Sequence, residues 1–269
     1  MSTEEQKDEA QGKEFNFKKY WGPDEYRPCV VFDRSSTMQC VYCGDVADSR
    51  EHCPSKVILT KPFPSDLPVV PTCKKCNNSF AQDELYLKAF LQFFEEYLYD
   101  NITATADMKR KEVRDAKERM ESIIRLQQID PDPRIERILT KLAICHSVYE
   151  LTEGYYSDTW YGVPESDSYT FRPYLTDDQI IDWCDFVPLN DKILPMIGSR
   201  VFERIHVIEA TLQSVDGLSE LKTPFAVMDW SDIQDGQYRY VCWLEAGKIK
   251  VQIVIDEFLF AKVVFIPTK

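Results

Sequence analysis

No apolar run in this 269-residue chain reaches the roughly 18 residues that a membrane-crossing helix needs. The opening Met-Ser-Thr-Glu-Glu-Gln-Lys-Asp-Glu has none of the character of a secretory signal, so a soluble cytoplasmic protein is the expectation. Basic residues are in short supply. The 32 Lys plus Arg face 45 Asp plus Glu, a net charge of −13, which argues against a chain that binds nucleic acid over its whole surface. There is no P-loop, dinucleotide fingerprint or serine-nucleophile elbow, and no internal repeat at a solenoid or propeller period. Histidine is scarce, with three in the chain, so imidazole chemistry has few places to sit.

What remains is the composition of a folded protein. At 44% hydrophobic and 13% aromatic, collagen-like, low-complexity and mostly disordered readings are excluded, and the length fits one or two domains. The charge is unevenly spread. Residues 1–12 carry one Lys against four acids, residues 13–80 ten bases against eight acids, and residues 81–269 carry 21 against 33. The segment 13–80 can therefore approach a phosphate backbone while the acidic remainder limits non-specific binding.

Nine cysteines, an odd number without a secretory signal, do not suggest a disulfide framework. Cys29, Cys53, Cys145, Cys184 and Cys242 are scattered and read as small buried hydrophobes. The other four form two pairs with a two-residue gap, Cys40/Cys43 and Cys73/Cys76. A gap of two lets both thiolates of a pair reach one ion from a tight turn. Two pairs supply the tetrahedral sulfur shell of structural zinc. The 29 residues between the pairs exceed the spacer of a simple zinc ribbon, which leaves room for an insert.

Residues 1–14 read as a disordered tail, followed by a short strand candidate at Cys29 to Phe32. Inside the insert, strand preference appears at Val57-Ile58-Leu59 and Val69-Val70. Helical spacing predicts a helix from about Cys76 to Asp100, a highly charged one over 103–128, and a third over 134–152 after the break at Asp130-Pro131-Asp132-Pro133. Asp177 to Asp182 opens a short helix. Strands are expected at 205–209, 225–230, 238–245, 248–255 and 258–265, ending in an antiparallel meander with Ala246-Gly247 as a hairpin turn.

A closed four-sulfur shell offers no open coordination position, so reactive groups must lie nearby. Between the pairs stands Arg50-Glu51-His52-Cys53-Pro54-Ser55-Lys56, and directly after the second pair Asn77-Asn78-Ser79-Phe80. A lone histidine is more often structural. A histidine beside a carboxylate within this bracket favours chemistry.

Taken in order, Cys40-Val-Tyr-Cys43-Gly, Glu51-His52-Cys-Pro54 and Cys73-Lys-Lys-Cys76-Asn77-Asn78 resemble the HNH endonuclease family, in the four-cysteine, zinc-containing subgroup in which Asn replaces the final His. The resemblance covers about residues 38–86. It implies a DNA endonuclease, a phosphodiester hydrolase leaving 5′-phosphate and 3′-hydroxyl ends, and admits a role in phage defence. His52 would be the general base, while Glu51 with Asn77 or Asn78 would hold a catalytic magnesium or manganese ion. Arg50, Lys56, Lys74 and Lys75 flank this site and would hold phosphates, or form a solvated charged surface. The family's central Asn is missing. Asp66, in Ser65-Asp66-Leu67-Pro68, is its candidate substitute.

The expected fold class is α+β: a zinc-pinned ββα-metal module of the HNH or treble-clef kind over 15–100, a helical segment over 101–154, and a β-rich C-terminal region with an antiparallel sheet over 155–269. Asp83 and Glu84 read as ordinary exposed acids, the basic residues of the second helix as a solvated face, His146 as a packed or capping histidine, and His206 as structural. The alternative function is a non-catalytic zinc module that binds nucleic acid or a protein partner.

Overall fold

The computed structural model describes residues 39–65, 67–99, 109–150, 164–185, 187–188, 192–193, 204–214 and 219–266. The expected tail, the strand at Cys29 to Phe32, and Asp66 lie outside the described residues.

The described part begins with the first cysteine pair. A bridge between Gln39 and Val46 closes a turn whose Cys40 N–H donates to the Asp45 carbonyl at 2.7 Å. Gly44 takes φ 70°, a conformation that a Cβ disfavours, so glycine suits this position. Strand β1 (Ser49–His52) then pairs antiparallel with β2 (Val69–Thr72), with His52 opposite Val69 and Ser49 opposite Thr72. The intervening segment does not contain the strand expected at Val57-Ile58-Leu59. That stretch is turn, with the Ile58 N–H bonded to the Ser55 carbonyl and the Leu59 N–H to the Lys56 carbonyl. Ile58 and Leu59 are buried. Their apolar character reflects burial, while local bonds satisfy the backbone, so β-propensity misleads there.

The expected first helix is divided in two. Helix α1 (Lys74–Ser79) starts at Cys73, whose sulfur accepts the Cys76 N–H as an N-cap. At Phe80 the N–H turns back to the Asn77 carbonyl in a tightened turn, and α2 (Ala81–Tyr99) follows. Helix α3 (Lys111–Leu126) buries Val113, Ala116, Met120 and Ile123 along one stripe. Its outer face carries i,i+4 ion pairs, Lys111–Asp115 and Lys117–Glu121, which fits the solvated-face reading. The left-handed Gln127 (φ 53°) ends it.

Helix α4 (Pro133–Glu150) begins on a proline, whose missing N–H costs nothing in a first turn. It is buried almost all round because it packs against α2 and β2 and also against the C-terminal sheet. Strand β3 (Ser166–Phe171) is followed by a 3₁₀ turn (Arg172–Tyr174) and by α5 (Asp177–Cys184), which opens on a capping box of Thr176 and Gln179. Short strands β4 (Val187–Pro188) and β5 (Lys192–Ile193) come next. They precede β6 (Ile205–Gln213), β7 (Glu220–Met228), β8 (Ser231–Gln234), β9 (Tyr238–Glu245), β10 (Lys248–Ile255) and β11 (Leu259–Phe265).

The larger sheet runs β3-β11-β10-β9-β5, with β8 also on β9, and a smaller one runs β4-β7-β6. The expected meander is β9-β10-β11, all antiparallel. Its first hairpin turns at Ala246 and Gly247 with φ 51° and 74°, the twist that two-residue hairpin loops favour. Strand β3 is an addition to the sequence reading. Its burial pattern is exposed until its last residues, so it lacks a periodic signal.

The rings of Phe90 and Phe94 from α2 meet Phe171 at the end of β3 and Phe258 before β11, with centroids 4.9–5.8 Å apart. One apolar cluster therefore runs from the hairpin through the helices into the sheet. Within it, His146 stacks on Tyr240 with centroids 3.6 Å apart and shares a 2.7 Å hydrogen bond with the Tyr238 hydroxyl. Burial, aided by Arg204, pushes its pKa well below the usual range, so it is a neutral packing residue. His206 lies on β6, half exposed, 3.8 Å from the Asp229 carboxylate. No described helix is long and apolar enough to cross a membrane.

Candidate metal centre and the adjoining hairpin

The two cysteine turns face each other. The ligand atoms of Cys40, Cys43, Cys73 and Cys76 all lie within 4.8 Å of one another, and the Cys43 and Cys73 sulfurs are 3.6 Å apart. Zn–S bonds of about 2.3 Å in a tetrahedron separate the sulfurs by about 3.8 Å. These residues can hold a metal such as zinc. The surroundings fit: at Cys40 burial is outweighed by hydrogen bonds from the Thr72 hydroxyl and the backbone N–H groups of Cys73, Tyr42 and Cys43, which bring the thiol down to about 7. Burial pushes Cys43 up to about 11, and Cys76 is raised by burial and by the neighbouring sulfurs. All four can be thiolates together only with a cation between them, which zinc would supply.

Strand alternation decides what β1 presents. Glu51 points to the buried face, and Arg50 and His52 point to the other. His52 is partly buried, and that desolvation, reinforced by the charges of Lys56 and Arg50, lowers its pKa to about 4. The imidazole is thus an unprotonated base at neutral pH, beside two cations. Lys56 also sits 5.7 Å from the centroid of the Phe63 ring. Lys74 and Lys75 are exposed at the start of α1, where Lys74 pairs with Asp48 at 3.6 Å.

Asn77 joins α1 to β1, its side-chain NH₂ donating to the Arg50 carbonyl at 2.8 Å and to the Ser49 hydroxyl at 3.1 Å. Asn78, at the next position of the helix, is exposed. Glu51 is engaged elsewhere. Its Oε1 accepts from Lys141 Nζ at 2.9 Å and from the Ser55 hydroxyl at 3.0 Å, and Lys141 also bonds Ser55 at 2.6 Å and pairs with Glu84. Burial pushes Glu51 up, against the pull of Lys141. Lys141 stays charged because Glu51 and Glu84 outweigh its own burial. The structure thus places Arg50 and His52 on one face of β1, within reach of the charge of Lys56, and gathers Glu51, Ser55, Glu84 and Lys141 on the other.

Asp83 and Glu84 are not the ordinary exposed acids that the sequence suggests. Asp83 pairs with Arg137, whose guanidinium also lies 4.6 Å from the Phe80 ring centroid, and Glu84 is part of the buried group. Tertiary packing of α4 across α2 covers both. Ser55 and Lys141 went unnoticed in the sequence. A signal for Lys141 does exist: a lysine between Ile138 and Cys145 at helical spacing interrupts the apolar stripe of α4.

Compared with protein-family models, curated proteins and solved structures, the chain matches none.

Proposed function

We propose that the chain is an HNH-type endonuclease, hydrolysing DNA phosphodiester bonds on a ββα-metal module pinned by structural zinc. The observation that carries this reading is His52 at the end of β1, on the same face as Arg50 and beside Lys56, with the sulfur cluster at the base of the hairpin. Zinc held by Cys40, Cys43, Cys73 and Cys76 would supply rigidity, fixing the hairpin against α1.

The magnesium or manganese ion that the resemblance implies, held by Glu51 with Asn77 or Asn78, does not fit these residues as they stand. The Glu51 carboxylate is buried against Lys141 and Ser55, and the Asn77 amide is turned to β1. The steps assigned here use the chain's own groups. Arg50 and Lys56 hold the phosphate and offset its charge. The His52 imidazole takes a proton from water, the water oxygen bonds to phosphorus, and the bond to the 3′-oxygen breaks, that oxygen taking a proton from solvent.

The test is nicking of supercoiled plasmid by the zinc-loaded chain with magnesium, with manganese and without added divalent ion. His52→Ala is expected to lower the rate by about 10²–10⁴-fold, the usual worth of a general base, with zinc content unchanged. Undiminished nicking by this variant removes His52 from the mechanism. A wild-type chain that nicks under none of these conditions leaves the non-catalytic zinc module in its place.

The phosphate face has its own expected result. Arg50→Ala with Lys56→Ala should reduce the slope of log affinity for duplex DNA against log salt by about 2, at ~0.9 per lost phosphate contact. An unchanged slope assigns these two cations to the protein alone.

A further inference from the structure

Behind β1, hard oxygen donors from three parts of the chain converge below the surface. Glu51 comes from the hairpin, Ser55 from the loop after it, and Glu84 from the first turn of α2. Ser55 Oγ lies 3.0 Å from Glu51 Oε1 and 2.5 Å from Glu84 Oε1. The side chains of Glu51 and Glu84 are 6% and 14% exposed, and that of Lys141, whose ammonium bonds all three, is 1% exposed. The ammonium also lies 5.1 Å from the centroid of the Phe80 ring.

The charges do not balance. Two carboxylates face one ammonium, and Glu51 Oε2 is buried without a hydrogen-bond partner. A buried excess negative charge is costly, and it is what a divalent cation with oxygen ligands would neutralise. A lysine ammonium is a point charge with donors in three directions, able to stand in such a position but with half the charge of a magnesium or manganese ion.

We infer that Glu51, Ser55 and Glu84 form a divalent-cation cage whose tenant in this chain is the ammonium of Lys141. The side chain occupies the cage from α4, keeps divalent ions out, and fastens β1 to the helix that carries it. This concerns ion binding alone and stands whether or not the chain cuts DNA.

The full zinc-loaded chain is titrated with manganese, and free manganese is followed by its paramagnetic resonance signal. The wild type is expected to take up none beyond background. Lys141→Met and Lys141→Gln should each gain one saturable site per chain, with a dissociation constant on the order of 10⁻⁴ M or tighter. Adding Glu84→Gln to either should abolish that site.

A wild-type chain that binds manganese as tightly as the Lys141 variants overturns the inference. So does a folded Lys141 variant that gains nothing. Where the loss of Lys141 leaves the variants folded but too unstable to titrate, the readout is their melting transition. An ion that fills the cage binds only the folded chain, so manganese must raise the transition in the variants and leave the wild type unmoved. A transition insensitive to manganese in the variants also overturns it.

Discussion

Cys73→Ser is expected to release the metal and melt the hairpin with its first helix. Cys73 does more than supply one sulfur. Its Sγ accepts the Cys76 N–H and so caps α1, and its carbonyl accepts the Asn77 N–H at 3.0 Å. The hairpin it follows consists of two four-residue strands, and a two-stranded ribbon of that length is marginal alone in water. Structural zinc contributes an apparent ~10–16 kcal/mol in small zinc modules, which is comparable to the ~5–15 kcal/mol stability of a whole domain.

Zinc per chain should fall well below one equivalent in the variant. Hydrogen exchange over residues 39–80 should rise to that of an unprotected chain. A chelator should do the same to the wild type, reversibly on return of zinc. One equivalent of zinc in Cys73→Ser, with protection unchanged, would show that the four sulfurs are not the ligand set.

Phe171→Ala should cost about 3–5 kcal/mol, the usual range for removing a buried aromatic side chain. Phe171 is 0% exposed, and its ring contacts Phe90, Phe94 and Phe258. It ends an edge strand, so the neighbouring backbone can relax only outward, while the rings from α2 lose their common partner. The measurement is urea unfolding followed in parallel by tryptophan fluorescence and by zinc release to a chromogenic chelator. Four of the five tryptophans, Trp160, Trp183, Trp230 and Trp243, belong to the C-terminal part of the sequence, so most of the fluorescence reports that part, whereas the sulfurs belong to the hairpin and its first helix. Both transitions should move together. A zinc-release midpoint that stays put while fluorescence shifts would mean that the hairpin folds independently of the sheet.

The readable parts of this chain are those where chemistry is local. The cysteine pairs announce their cluster because a gap of two residues already places two thiols in one turn. The strands β9, β10 and β11 announce themselves by burial, and Ala246-Gly247 by turn chemistry. Helices α3 and α4 carry apolar stripes bounded by Pro131 and Pro133.

The parts that resisted are those decided by partners far along the chain. Strand β3 exists because β11 offers an edge, and its own residues give little sign of it. Val57-Ile58-Leu59 is apolar because it is covered, and it bends into a turn. Glu51 sits beside His52 in sequence, and strand alternation sends the two to opposite faces. Its real partner, Lys141, is 90 residues away. Glu84 resembles any acid near a helix start until α4 is laid across it. The residue types of the candidate site were thus legible, but the division of labour among them depended on a crossing of helices that no local pattern encodes.

Helix α4 belongs to two neighbourhoods at once, touching the hairpin through Lys141 and the sheet through His146 and Glu150. Transplanting the hairpin into another scaffold must therefore carry this helix along. A graft that stops at Tyr99 would inherit both carboxylates of the buried group without the ammonium between them, and would repel itself at the spot where the recipient most needs it to close.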